Sequence, residues 1–144
     1  MLGAVSAAAM LVATMLSEPA AAQVSIWNGV YTQAQAKRGE EVYSGACAQC
    51  HGLRLNGAAH SDQPPSPAIA RATLLRKWDG KTVGELFTYV LEMMPTDRPG
   101  TLTPQQSIDA VALMFSVSEV PAGDKELPAD PKALEGIVIG EQKK

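Results

Sequence analysis

Apolar residues recur at helical spacing in three separate stretches of the chain, and turn-forming residues crowd the segments between them. The first stretch runs from Gln33 to Ala46. Ala34, Ala36, Val42, Tyr43 and Ala46 make one side of it, and Lys37, Arg38, Glu40 and Glu41 the other. Gly39 sits inside this helix, where it costs about 1 kcal/mol relative to alanine. Gly39 and Tyr43 share a face, so the glycine predicts close approach by another helix. The second stretch, Thr82 to Met94, opens on the capping-box pattern Thr82-Val83-Gly84-Glu85. Val83, Leu86, Phe87, Val90, Leu91 and Met94 form its stripe, and Pro95 ends it. The third begins at Thr103, with Pro104 in the first helical position and Gln106 completing a second capping box. Ile108, Val111, Ala112 and Phe115 are its apolar side, the natural partner for Gly39 and Tyr43.

Between the first two helices, Gly52 to Arg76 reads as loop. Gly52, Asn56, Gly57, Ser61, Asp62 and the prolines at 64, 65 and 67 all favour turns. Leu53, Leu55 and Ile69 are its apolar points, suited to line a pocket. Gln23 to Thr32 is an arm that Trp27 and Tyr31 pack onto the domain, with a turn at Asn28-Gly29. From Pro121 the chain is a tail that wraps the domain. Asp130-Pro131 opens one helical turn ended by Gly136, and Ile137 and Ile139 alternate as in an extended segment. There is no internal repeat, so residues 23–144 form one domain.

The other end is different. Met1 to Leu16 is almost free of charge, and Ala20-Ala21-Ala22 supplies a small-residue cleavage pattern before Gln23. Residues 1–22 are therefore expected to be a signal peptide. The run is short for a membrane span, although an uncleaved anchor is the alternative, and no Lys or Arg precedes it.

The chain has 144 residues and a net charge of −3, without a basic stripe that would suit nucleic acid. Its two cysteines lie in Cys47-Ala48-Gln49-Cys50-His51, the Cys-x-x-Cys-His signature of covalent haem attachment. Three other readings fit less well. A thioredoxin-like pair needs a strand–helix setting, and no clear strand precedes this motif. A zinc site needs four ligands, and only His51 and His60 remain. A plain disulfide leaves His51 without a role. With haem attached through Cys47 and Cys50, His51 becomes an axial ligand of the iron. Its other ring nitrogen usually donates to a backbone carbonyl, which a rigid proline such as Pro67 can hold in place; simple loop stiffening is the alternative for any of these prolines. Trp78 could reach a haem propionate through its indole N–H, or simply cap the core.

The sixth ligand is open among three methionines of the domain, Met93, Met94 and Met114. Met94 continues the apolar stripe and precedes Pro95, where the chain leaves the helix. Met93 lies about 100° round the helix. Met114 is inside a regular helix and fits packing. An open sixth position is the remaining case. His60 is only nine residues past His51, a short span for reaching the opposite haem face.

The order of these parts resembles the class I, mono-haem cytochrome c family: a helix, Cys47-x-x-Cys50-His51-Gly52, a proline loop, a helix, Met94-Pro95 and a final helix. The resemblance covers roughly Trp27 to Ile139. It implies an all-α cytochrome c fold with three main helices around one haem c, the first and last helices crossing. It implies His51 and Met94 as axial ligands. Pro67-Ala68-Ile69 resembles the family's Pro-x-Leu, whose proline carbonyl supports the proximal histidine. More narrowly, Trp27-Asn28-Gly29-Val30-Tyr31-Thr32, Ala36-Lys37-Arg38-Gly39 and Met94-Pro95-Thr96-Asp97-Arg98-Pro99-Gly100 look like bacterial periplasmic cytochromes associated with dehydrogenases, often quinoprotein ones. Two positions depart. Leu113 stands near where many relatives have an aromatic, which leaves Phe115 for that contact, and Arg71 stands near a usual glycine. The resemblance implies a non-enzymatic one-electron carrier in the periplasm of a Gram-negative bacterium. A dehydrogenase would be its donor, and an oxidase or another cytochrome its acceptor. Membrane association is not required. A tightly bound subunit of a dehydrogenase complex is the alternative, and a haem enzyme or gas-binding protein a more distant one.

Overall fold

The computed structural model describes residues 22–57 and 66–142. The expected leader up to residue 21 and His60 lie outside the described residues. The fold is all-α: α1 (Gln33–Ala46), α2 (Ala48–His51), α3 (Arg71–Lys77), α4 (Val83–Met93) and α5 (Pro104–Val117). One short parallel pair joins the ends of the domain, β1 (Val24–Ser25) beside β2 (Ile137–Val138).

The three long helices form where local signals place them. Thr32 Oγ1 caps α1 by accepting from the Gln35 N–H at 3.1 Å. In α4 both capping-box bonds are made. Glu85 N–H donates to Thr82 Oγ1 at 3.1 Å, and Thr82 N–H donates to Glu85 Oε2 at 2.7 Å. Thr103 and Gln106 do the same for α5, at 3.2 and 2.9 Å. Helix α4 stops at Met93, and Met94 is already extended before Pro95.

Helices α1 and α5 cross at Gly39. A Cβ on this residue would meet the Asp109 carbonyl oxygen and the Leu113 Cβ, so the absent side chain lets the two backbones touch. Leu113 therefore takes the position facing α1. Phe115, about 200° round the same helix, is fully buried and packs on Tyr31 with ring centroids 6.4 Å apart. The crossing is locked by charge. Arg38 donates to both carboxylate oxygens of Asp109, each at 3.0 Å, and reaches Glu126 in the tail at 2.7 Å.

The tail does wrap the domain. Buried Gln35 exchanges two hydrogen bonds of 2.9 Å with the backbone of Leu127. A 3-10 turn at Lys132–Leu134 buries Leu134, and Ile139 is buried after β2. Trp27 Nε1–H donates to the Gly140 carbonyl at 2.9 Å, tying the amino-terminal arm to the same end.

Helix α3 corrects the expectation of loop as far as Arg76. Its two turns bury Leu74 and Leu75 and pack on α5. A segment this short has too little intrinsic stability to show as a periodic pattern, so tertiary contact forms it. Arg71, near the position where the resemblance implies a glycine, takes φ +56°, the left-handed conformation that glycine favours. Its N–H donates to Ser118 Oγ at 2.6 Å, which fixes the unusual backbone.

Candidate cofactor site

Helix α1 delivers Cys47, and α2, a single turn starting at the next residue, delivers Cys50 and His51. The turn closes with His51 N–H to the Cys47 carbonyl and Gly52 N–H to the Ala48 carbonyl, both at 2.9 Å. Tyr43 O–H donates to the Gly52 carbonyl at 2.5 Å, so α1 also holds the far end of the motif.

His51 Nδ1 lies 2.8 Å from the Pro67 carbonyl. A carbonyl only accepts, so Nδ1 carries the proton, and Nε2 is left with a lone pair free to bind a metal. This is the orienting bond expected of Pro67. Gly57 makes it possible. At φ +75° a Cβ there would stand 2.5 Å from the Ser66 carbonyl oxygen, so only glycine lets the two loop strands close. Gly57 N–H donates to the His51 carbonyl at 2.9 Å, and Ile69 N–H to the Leu55 carbonyl at 3.0 Å. In sequence Gly57 is one turn former among many; nothing local marks its contact with residue 66.

Cys47, Cys50, His51, Pro67 and Met94 all line one cavity. Leu86 and Val90 from α4, Ile69 and Leu74 give it apolar walls. Met114 lines it as well, from within α5 and almost fully buried. Met93 does not; it is 52% exposed on the other side of α4. Of the three loop residues expected at the pocket, only Ile69 is there. Positive φ at Gly52 and Leu55 turns the chain so that Leu53 is 69% exposed and Leu55 joins the core.

Trp78 packs against the hydrophobic core and lines a neighbouring groove, with its ring 5.6 Å from that of Tyr89 in an edge-type contact. Leu74 and Lys77 lie three apart on α3 and face the cavity, while Trp78 is one residue further round. Lys77, held 5.6 Å over the Tyr89 ring, is the one Lys or Arg among the described residues lining the cavity. It is the side chain placed to balance an acidic group of a cofactor there.

Burial, and then the neighbouring Cys50, push the Cys47 thiol up to about 11. Tyr43 is pushed up to about 12, chiefly by burial and then by Cys47. The second cause falls away once that sulfur is a thioether. A tyrosine raised from its ordinary value of 10.0 holds its proton when folded after it would lose it unfolded. Stability is then full below pH 10 and falls as pH rises toward 12. In pH-dependent guanidinium unfolding, Tyr43→Phe should flatten this alkaline fall by about 1–2 kcal/mol. It should also cost about 1 kcal/mol at neutral pH, because the Gly52 carbonyl loses its donor.

Two thiols at the motif spacing, an imidazole with its Nε2 free, a thioether and apolar walls make a donor set that fits haem c. No curated protein and no solved structure matches this chain. Residues 34–114 match the family model described as cytochrome c oxidase, cbb3-type, subunit III. That match spans more than half of the chain, from the start of α1 to near the end of α5. The chain belongs to this family of c-type cytochrome domains, and its cofactor is haem c held through Cys47 and Cys50.

Proposed function

We propose that this cytochrome is a one-electron carrier whose iron is ligated by His51 Nε2 and Met94 Sδ. The observation that carries the reading is the His51 Nδ1–Pro67 bond of 2.8 Å in a cavity that Met94 also lines. Bound haem supplies a one-electron Fe(III)/Fe(II) couple. The chain supplies the rest. Pro67 fixes the His51 ring, and the extended backbone at Met94 aims its side chain out of the helix. Leu86, Val90 and Ile69 keep water from the iron, and Lys77 offsets propionate charge. Held by His51 and Met94, the iron would leave no place for a substrate to bind. No acid, base or nucleophile is assigned, and the role is not enzymatic.

The periplasm is the proposed location. Support comes from the charge-poor segment Met1–Leu16 and the alanines before Gln23. Among the described residues no helix is long and apolar enough to cross a membrane. A periplasmic dehydrogenase, of the quinoprotein kind, is the proposed donor, and an oxidase or another cytochrome the acceptor. The family description, which names an oxidase subunit, favours a second reading as a subunit of an oxidoreductase complex. Size-exclusion chromatography of a native periplasmic extract, followed at the haem band, separates the two. Elution at the size of this chain alone supports the carrier, and co-elution with a large redox protein supports the subunit.

The optical spectrum of the holoprotein tests the ligation. The oxidised protein should show a weak far-red sulfur-to-iron charge-transfer band, and the reduced protein should not bind carbon monoxide at neutral pH. A high-spin spectrum with ready carbon monoxide binding would sink the carrier reading.

A further inference from the structure

A groove lies beside the cofactor cavity, between α4 and the 3-10 turn at Lys132–Leu134. Trp78 and Tyr89 line it, edge to face, together with Met93. Four large hydrophobic side chains are exposed among the described residues, and two of them, Met93 at 52% and Tyr89 at 38%, are here. Glu85, Glu92 and Glu135 also line the groove, and no Lys or Arg does. Glu85 is occupied, since it caps α4 and pairs with Lys81 at 3.6 Å. Glu92 and Glu135 have no ion-pair partner among the described residues. Tyr89 lines both this groove and the cofactor cavity. One aromatic side chain therefore connects the cavity to an acidic, partly apolar patch of surface.

We infer that this groove is where a redox partner docks through a basic, Lys- or Arg-bearing patch, and that the electron crosses by way of Tyr89 and Trp78. The inference rests on the electron-carrier reading above. An apolar centre inside a charged rim is the usual anatomy of a protein interface. The carboxylates of Glu92 and Glu135, without ion-pair partners among the described residues, attract a cationic side chain by charge, while Tyr89, which already carries Lys77 5.6 Å over its ring, and Trp78 give the apolar centre. Such charges act mainly on the encounter rate, and salt screens them. The step itself moves one electron from the reduced haem to a one-electron acceptor, with no bond made or broken.

The test uses reduced holoprotein and two one-electron oxidants in stopped flow at low ionic strength. Tris(1,10-phenanthroline)cobalt(III) is an aromatic trication, and hexacyanoferrate(III) is a trianion. In Glu92→Gln/Glu135→Gln the cobalt reaction should slow by about fivefold, while the hexacyanoferrate reaction should not slow. Glu40→Gln/Glu41→Gln, on the exposed side of α1, removes the same net charge elsewhere and should leave the cobalt rate within about twofold. Trp78→Leu should slow cobalt and spare hexacyanoferrate. An unchanged cobalt rate in the groove variant, an equal fall in the α1 variant, or equal slowing of both oxidants in Trp78→Leu would overturn the inference. A parent oxidised by neither reagent would instead remove the carrier reading on which it rests. Unchanged visible spectra of the variants would show that each folds around its haem.

Discussion

Met94→Ala should abolish the far-red sulfur-to-iron band, leave the iron high-spin, and let the reduced protein bind carbon monoxide. The reduction potential should fall with it. A thioether is a soft, neutral ligand that favours Fe(II), and water in its place favours Fe(III). A shift of at least a hundredfold in the redox equilibrium is expected, or about 120 mV at 59 mV per decade. Two companion variants make the assignment specific. Met93→Ala should leave band and potential unchanged, because Met93 is 52% exposed and lies outside the cavity. Met114→Ala is the harder control, because Met114 lines the same cavity and is nearly fully buried. It should keep the band and lose about 2–4 kcal/mol of stability, as a core methionine does when truncated. If Met114→Ala instead erased the band and Met94→Ala kept it, the ligand would come from α5, and the placement of Met94 at the end of α4 would need another explanation.

Gly39→Ala is the second large effect. By helix propensity alone it should stabilise α1 by about 1 kcal/mol. At the crossing with α5 the new Cβ meets the Asp109 carbonyl carbon at 2.8 Å and the Leu113 Cβ at 2.9 Å. Those neighbours are backbone and the first carbon of a side chain, so no rotamer change makes room. The helices must move apart, and the Arg38–Asp109 bonds at 3.0 Å stretch with them. A net loss of about 2–4 kcal/mol is expected in guanidinium unfolding of the oxidised holoprotein. Gly45→Ala, in the same helix, has nothing within 4 Å of the new Cβ. It should be neutral or stabilise by up to about 1 kcal/mol. Equal stabilities for Gly39→Ala and the parent would mean that α1 and α5 are not in backbone contact.

The parts that were legible in the sequence are those whose signals lie within about one helical turn. Thr82 with Glu85 and Thr103 with Gln106 start α4 and α5, because each box closes over three residues. Pro95 ends α4, because it restricts the residue immediately before it. The haem motif is legible for the same reason: two thiols and an imidazole must occupy one turn, and five consecutive residues provide them. Even the crossing at Gly39 left a local trace, since a glycine inside a helix is costly unless its missing side chain is used.

The remaining features depend on partners far apart in the chain. Two turns of α3 are stable because Leu74 and Leu75 are buried, and that short helix brings Lys77 to the cavity and sets Trp78 against the core beside a neighbouring groove. Leu53 and Leu55 look alike in sequence, yet left-handed backbone in the loop exposes one and buries the other. Arg71 holds a glycine-like conformation because Ser118, 47 residues on, accepts its N–H. Pro67 reaches His51 across 16 residues because Gly57 lets the loop close on itself. Bonds that close locally set the three long helices, the haem attachment and a short choice of ligands, so neighbouring residues alone reveal them. Which side chains face the cofactor was decided by packing between elements, because burial and close approach depend on neighbours that no local pattern records.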